Sequence, residues 1–432
     1  MLRSTVLENG LRIVTEEIPG ARSTAIGVLV DASPQDDPAG KEGLAHFVEH
    51  GLFQGTTSRD AQAISAMIDE AGGQMTAFTS RDYTCYYAHI MDDYSTFAWE
   101  LLGDILLNST FDEASIARER DVVVQELSLQ EDDYSGQIHD IVKNKIWNGH
   151  PLGREIAGNI ASVQSLTRDD CLNFVRQHYT PDRLIVAAAG AAQHERMVEQ
   201  ASDALWRLTG TATPRKQSNC DFTTVTHYEH RDVARAYFNI AIPSLCYADP
   251  HRYATHGLNV ILGGGMSSRL YSQLRESMGA VYYVHSQYYA YRDAGIMMIE
   301  GATSDENLER VLQAIVLELD QLAQDGVTDD ELWRTRKQMK GQHLLAGDSM
   351  STRMSRILTQ NFYFGDFVPE QEILDAIDGI DGAAIQQQAA AVFESGNIAV
   401  GVVGPDTSAN GQTRILDTLH PAGFFSQLAV GS

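Results

Sequence analysis

Two histidines, His46 and His50, stand four residues apart in the stretch Gly43-Leu44-Ala45-His46-Phe47-Val48-Glu49-His50-Gly51-Leu52, with Glu49 directly before the second. On a helix, residues i and i+4 lie one turn apart on one face, so both imidazoles can present a nitrogen to a single ion. Glu49, three after His46, projects on the same side beside His50. A catalytic zinc site needs neutral imidazoles, a third protein ligand and an open position for water. The competing reading is a pair of polar residues on the wet face of an amphipathic helix. The spacing alone leaves both open.

A third ligand separates them. The segment from Arg118 to Leu127 carries Glu119 and Glu126, seven apart and so two turns apart on one helix face. Glutamates usually sit on exposed faces. Here Val122, Val123 and Leu127 fall near Glu126, and a carboxylate on a partly apolar face wants a partner. The order HxxEH also reverses the HExxH zincin motif.

These residues need elements to hold them, and the chain reads as two halves built to one plan. Apolar strand patterns at residues 25–30 and 237–242 are each followed by an Asp-Pro pair, Asp37-Pro38 and Asp249-Pro250, suited to N-cap and N1 of a helix. Helical patterns then run through Leu44, Phe47 and Val48, or through Leu258, Val260 and Ile261. Tyrosine-rich and β-branched strands follow at 83–90 and 281–289, and further helices start near Phe111 and Val327. The polar, breaker-rich stretch 211–218 marks the join. Short turns such as Ala71-Gly72-Gly73 favour antiparallel pairing. The expected class is α+β: two similar domains in tandem, 1–210 and 220–432, each a mostly antiparallel sheet with helices packed on it. At an offset of 212 the second half carries Leu258 and Leu262 where the first has His46 and His50, so only the first half can hold the metal.

Composition narrows the function classes. The 432 residues are 43% hydrophobic and 21% charged, as in a globular protein, and the formal charge of −26 excludes nucleic acid as a natural partner. The four cysteines, Cys85, Cys171, Cys220 and Cys246, form no CxxC pair and read as core thiols in a reducing compartment. The N-terminus alternates polar and apolar residues around Asn9-Gly10, a hairpin signal rather than the apolar core of a signal peptide. Apolar runs are too short to span a membrane. The expected location is the cytoplasm.

The set His46-Phe47-Val48-Glu49-His50, with Glu126 76 residues beyond His50 and Glu119 seven before it, resembles the pitrilysin family of zinc peptidases, which includes insulin-degrading enzyme and the mitochondrial processing peptidase. The likeness covers nearly the whole chain, through "HPLGREIAGNIASVQSLT" from His150, "HYTPDRLIVAAAG" from His178 and "LGGGMSSRLYSQLRESMGAVYYV" from Leu262. Length and the two-half plan match the short bacterial and mitochondrial type.

The resemblance implies that His46, His50 and Glu126 bind one zinc ion per chain, that Glu49 is the general base and that Glu119 is an outer carboxylate orienting a ligand. Arg275 and Tyr282, seven apart in the second half, match a pair that holds substrate and the developing oxyanion. On residue type alone they read as a surface salt-bridging arginine and a core-packed strand tyrosine. Gln74-Met75-Thr76-Ala77-Phe78-Thr79 matches an edge strand onto which peptide adds, making Thr76, Ala77, Phe78 and Thr79 substrate-binding; Thr76 replaces the asparagine common there. The glycine run Leu262-Gly263-Gly264-Gly265-Met266 lacks the Gly-Lys-Ser/Thr of a P-loop and resembles the glycine-rich loop of the processing peptidases.

By the same resemblance the fold is half of a clamshell, and the expected function is metalloendopeptidase cleavage of peptides or unfolded segments inside a closed chamber. A homodimer is expected, Arg275 and Tyr282 serving the partner's zinc; a heterodimer is second choice. The rivals are a non-catalytic subunit like the core proteins of the respiratory complex, one half of a heterodimeric processing peptidase, and a non-haem iron enzyme with two histidines and a carboxylate.

Overall fold

The alternating N-terminal segment folds as the expected hairpin in the computed structural model, which describes residues 1–213, 215, 220–406 and 411–419. Strands β1 (Leu2–Val6) and β2 (Arg12–Glu17) pair antiparallel, Leu2 opposite Glu16 and Val6 opposite Arg12. The chain continues through β3 (Ser23–Val30), α1 (Leu44–Leu52), α2 (Ala61–Glu70), β4 (Gln74–Thr79), β5 (Thr84–Met91), α3 (Ser95–Asn108), α4 (Glu113–Gln130), α5 (Tyr134–Ile146), α6 (Ile160–Gln164), α7 (Arg168–His178), β6 (Leu184–Gly190) and α8 (His194–Ala204). The second half follows a similar order, opening with two strands rather than three: β7 (Val225–His230), β8 (Ala236–Ser244), α9 (Arg252–Gly263), β9 (Val281–Ala290), β10 (Gly295–Thr303), α10 (Leu308–Asp325), α11 (Asp329–Ala346), α12 (Met350–Phe364), α13 (Glu370–Asp378), α14 (Gly382–Ser395), β11 (Ala399–Gly404) and α15 (Gly411–Leu419). Of the expected join at 211–218, Pro214 and residues 216–218 lie outside the described residues.

The class is α+β, with two sheets of order β1-β2-β6-β3-β5-β4 and β7-β11-β8-β10-β9. Each is antiparallel except for one pair, β2 with β6 and β7 with β11, where the last strand of the half returns after a run of helices and lies parallel to an early strand of the same half. Cys85, Cys171 and Cys246 are free thiols, and among the described residues no helix is long and apolar enough to cross a membrane.

A cut at one point does not describe the compact units. The first comprises Met1–Leu129, Arg154–Ser218 and Leu344–Val368, and the second Gln130–Gly153, Asn219–His343 and Pro369–Ser432. Each sheet is therefore covered by a helix whose sequence belongs to the other half. In the first unit α12 lies on β3 and β6, where Gly27 leaves room for it: an added Cβ would meet Met354 Sδ at 2.3 Å and Leu358 Cδ1 at 2.7 Å. Val14, Ala25, Leu29, Ala187 and Ala189 complete this face around Met354, Ile357 and Leu358, all buried, and Arg353 donates to Glu16 at 2.8 Å. In the second unit α5 covers β8 and β11 by the same device, with Ile138 and Val142 against Gly401. The apolar stripes of α5 and α12 are visible in the sequence, but a stripe does not say which sheet it will cover.

Leu358 is 1% exposed at the centre of the first of these contacts. Leu358→Ala is expected to lower stability by about 2–5 kcal/mol, read as a shift of the urea midpoint. A variant that unfolds at the wild-type midpoint would show that α12 contributes little to the first unit.

Candidate metal centre

Helix α1 is apolar on nearly all sides, so it is a core helix that carries its polar groups inward. Leu44, Ala45, Phe47, Val48 and Leu52 are at most 1% exposed, and the helix packs against α7, β4 and β5. Asp37-Pro38 does not supply the N-cap and N1 residues expected of it. Asp37 is instead the C-cap of a short 3-10 turn, Pro34–Asp36, and the N-cap position of α1 is Gly43 at φ 90°. The Asp37 carboxylate still caps the helix from a distance, accepting from the Gly43 and Ala45 amides at 2.8 Å each. This satisfies orphan donors of the first turn with a negative charge at the favourable end of the helix dipole. Burial pushes the Asp37 carboxyl up to about 7 against the pull of those amides and of Arg154. Gly43 is required twice over, by its φ and because an added Cβ would meet the Ala157 carbonyl at 2.4 Å. The segment from Arg154 to Ser162 thus seats the loop entering α1: Arg154 donates to the Pro34 and Asp37 carbonyls at 3.1 and 2.6 Å, and Ser162 to the Glu42 carbonyl at 2.7 Å. In the second half, helix α9 likewise starts beyond its Asp-Pro pair, at Arg252 with His251 as N-cap, and the Asp249 side chain accepts from the His251 amide at 2.8 Å.

The fold brings the expected groups together. His46 Nε2 lies 3.2 Å from His50 Nε2, and Glu126 Oε2 lies 3.9 and 3.8 Å from those two atoms. His46, His50 and Glu126 form a group of metal-capable side chains whose ligand atoms all lie within 4.8 Å of one another. Bond lengths of about 2.0–2.1 Å at tetrahedral angles place zinc ligands about 3.4 Å apart. The observed separations straddle that value, and the donor set suits a divalent transition metal with a position left open. Glu119 and Glu126, two turns apart on α4, address opposite nitrogens of the His50 ring: Glu119 Oε1 sits 2.9 Å from Nδ1. A proton held at Nδ1 leaves the Nε2 lone pair facing His46. His46 has no such tether among the described residues, since its buried Nδ1 lacks a hydrogen-bond partner.

Electrostatics act in opposite directions on the two rings. Burial, then the neighbouring His50, pulls the His46 imidazole down to about 4, so it is neutral near pH 7. Burial also pulls on His50, but the Glu119 hydrogen bond and the charges of Glu49, Glu119 and Glu126 outweigh it and leave that ring above the ordinary value. Burial raises the Glu49 carboxyl, opposed by the Thr79 hydroxyl and His50.

Strand β4 is the edge of its sheet, pairing with β5 alone among the described strands. Thr76 and Phe78 are exposed, whereas Met75, Ala77 and Thr79 are half-buried on the face that packs on α1. The Thr79 hydroxyl donates to Glu49 Oε2 at 2.9 Å, a contact that the sequence reading of Thr79 as substrate-binding did not contain.

In the second unit Leu258 and Leu262 are buried apolar residues. Gly263 allows the end of α9 to approach β9, an added Cβ meeting the Ser286 amide at 2.4 Å. Arg275 donates to the Val281 carbonyl at 2.8 Å, and its guanidinium carbon lies 5.9 Å from the Tyr282 ring centroid. The tyrosine is not core-packed: it is 61% exposed. Arg235, which spacing did not single out, lies over the same ring at 4.5 Å.

This fold and these residues match known proteins. The family model described as insulinase (peptidase family M16) matches residues 12–160, and the model described as the peptidase M16 inactive domain matches residues 165–339. The chain belongs to this family, the pitrilysin or insulinase type of zinc peptidase. It is 33% identical to an uncharacterized zinc protease of Streptomyces coelicolor over 88% of this chain and 84% of that one. It is 32% identical to the uncharacterized zinc protease YmxG of Bacillus subtilis over 88% and 93%. In fold it is similar to a protease from Helicobacter pylori, with a TM-score of 0.87 at 20% identity over 94% of this chain and 99% of that one.

Two substitutions separate the roles of the α4 carboxylates. Glu126→Gln is expected to lower zinc content after dialysis. Glu119→Ala is expected to weaken zinc binding about 10- to 100-fold in a chelator competition. Wild-type zinc affinity in both variants would remove α4 from the centre.

Proposed function

We propose that the protein is a zinc-dependent metalloendopeptidase, with one zinc ion per chain held by His46, His50 and Glu126 and with Glu49 as general base. The observation that carries this reading is the convergence of those three ligand atoms within 4.8 Å, with a mostly buried carboxylate on the same helix beside His50. The names of the relatives, zinc proteases, support it. When bound, zinc lowers the pKa of a coordinated water to about 7 and polarises a carbonyl. Glu49 takes the proton of the attacking water and later returns it to the leaving amine; a carboxyl raised by burial is suited to both steps. Glu119 holds the His50 Nδ1 proton and so keeps the ring oriented.

An extended peptide adds along the open edge of β4 by main-chain hydrogen bonds. Thr76 and Phe78 project from that strand, and Thr76 offers a hydroxyl where an amide is usual. The working unit in this reading is a homodimer, in which Arg275 and Tyr282 of one copy serve the metal centre of the other. The exposure of Tyr282 supports it, as does the presence of both residue sets in one chain. The proposed compartment is the cytoplasm, supported by the unpaired thiols of Cys85, Cys171 and Cys246.

The test is hydrolysis of a mixed set of quenched fluorescent peptides by the zinc-loaded wild type and by Glu49→Gln. The wild type is expected to cleave, and the variant to lose about 100- to 10,000-fold with its zinc retained. Equal rates would remove Glu49 from the chemistry. Zinc-bound protein that cleaves nothing in either form would favour a non-catalytic subunit.

A further inference from the structure

We propose that Thr79 is a positioning residue for the reaction: its hydroxyl, aimed by the β4–β5 hairpin, holds the Glu49 carboxylate in the orientation from which it takes the proton. This rests on the reading of Glu49 as the general base. Glu49 is 9% exposed, and among the described residues Thr79 is its only hydrogen-bond donor, 2.9 Å from Oε2. The terminal torsion of a glutamate is broad and roughly two-fold, so without a donor the side chain has no preferred carboxylate plane. One well-placed donor selects it.

The direction of that hydrogen bond follows from the neighbouring groups. Thr84 lies opposite Thr79 in the strand register and donates its own hydroxyl proton to the Ala32 carbonyl at 3.0 Å. The Thr79 and Thr84 oxygens are 3.5 Å apart, too far for a strong bond, and an ionised carboxylate can only accept. The Thr79 proton therefore goes to Glu49. Because threonine is β-branched and stiff at χ1, the backbone of the strand end sets where that hydroxyl points.

The backbone there is clamped. Ser80 closes the hairpin loop, its amide and hydroxyl both 2.8 Å from the Tyr83 carbonyl. Asp82 in the same loop accepts from Gln35 at 2.9 Å and from the Tyr363 hydroxyl at 2.8 Å, and the Tyr83 ring meets Phe362 edge to face at 5.1 Å between centroids. Tyr363 and Phe362 belong to α12, so a helix from the far end of the sequence fixes the loop that aims the donor to the base. On this account Thr79 touches the base and not the peptide.

Thr79→Val keeps the shape and removes the donor; Thr79→Ser keeps the donor and removes the methyl. The full chain loaded with zinc is assayed on one quenched peptide, with zinc affinity from chelator competition and the urea midpoint measured alongside. Thr79→Val is expected to lower kcat about 10- to 100-fold, the range for a hydrogen bond to a charged group, with KM and zinc affinity within about twofold. Thr79→Ser is expected to recover most of kcat, and a crystal structure of Thr79→Val to show Glu49 Oε2 displaced. An unchanged kcat in Thr79→Val overturns the proposal. So does a loss confined to KM, which would place Thr79 on the substrate, or a serine variant as impaired as the valine one, which would make the role one of packing. If the zinc-loaded wild type cleaves nothing, the peptidase reading and this proposal fall together, an outcome distinct from active wild type with active Thr79→Val.

Discussion

The site depends on one hydrogen bond, between His50 Nδ1 and Glu119 Oε1 at 2.9 Å. A neutral imidazole has one proton and one lone pair, and holding the proton at Nδ1 commits the lone pair to Nε2. That atom faces His46 Nε2 and Glu126 Oε2. Without the carboxylate at Nδ1, the tautomer would be free and two neutral rings 3.2 Å apart could settle by donating one to the other. Glu119 is 6% exposed, and a carboxylate so buried needs the partner it finds in His50. The arrangement works because α4 brings two carboxylates two turns apart against one ring.

That contact requires α1 to be held rigidly, and much of the first unit serves this end. The helix is buried on nearly every side, its first turn is satisfied by Asp37, and its entry loop is tied to the segment that begins at Arg154. β4 and its loop approach from the side of Glu49, and α12 anchors that loop. The machinery proposed for the first unit therefore draws support from residues as far apart as Ala32 and Tyr363, although the groups proposed to meet the metal and the attacking water lie on α1 and α4.

The candidate ligand set was legible in the sequence because metal ligands obey short-range geometry. Spacings of four and seven on helices place His46 with His50 and Glu119 with Glu126 whatever the tertiary structure, and the partly apolar surroundings of Glu126 mark that face as more than solvent-facing. The alternating strand patterns and the α+β class were legible for the same reason. Interactions set by tertiary packing were not. Asp37 caps α1 from six and eight residues upstream through a loop whose path no local rule gives. The exchange of α5 and α12 between the sheets depends on Gly27 and Gly401 offering grooves, and a glycine in a strand reads equally as a weak point or a bulge. Arg235 joins the Arg275 and Tyr282 pair only once β8 and β9 are placed, and the Thr79 hydroxyl declares its partner only when β4 is laid against α1.

The central claim is a metal held by two imidazole nitrogens and one carboxylate. X-ray absorption at the zinc edge of the zinc-loaded protein tests it most directly, because it reads the identity and distance of the atoms bound to the metal. The account requires two imidazole nitrogens at about 2.0–2.1 Å and oxygen at about 2.0–2.2 Å, with no sulfur. A zinc–sulfur distance near 2.3 Å, or a shell of oxygens without imidazole scattering, would contradict it.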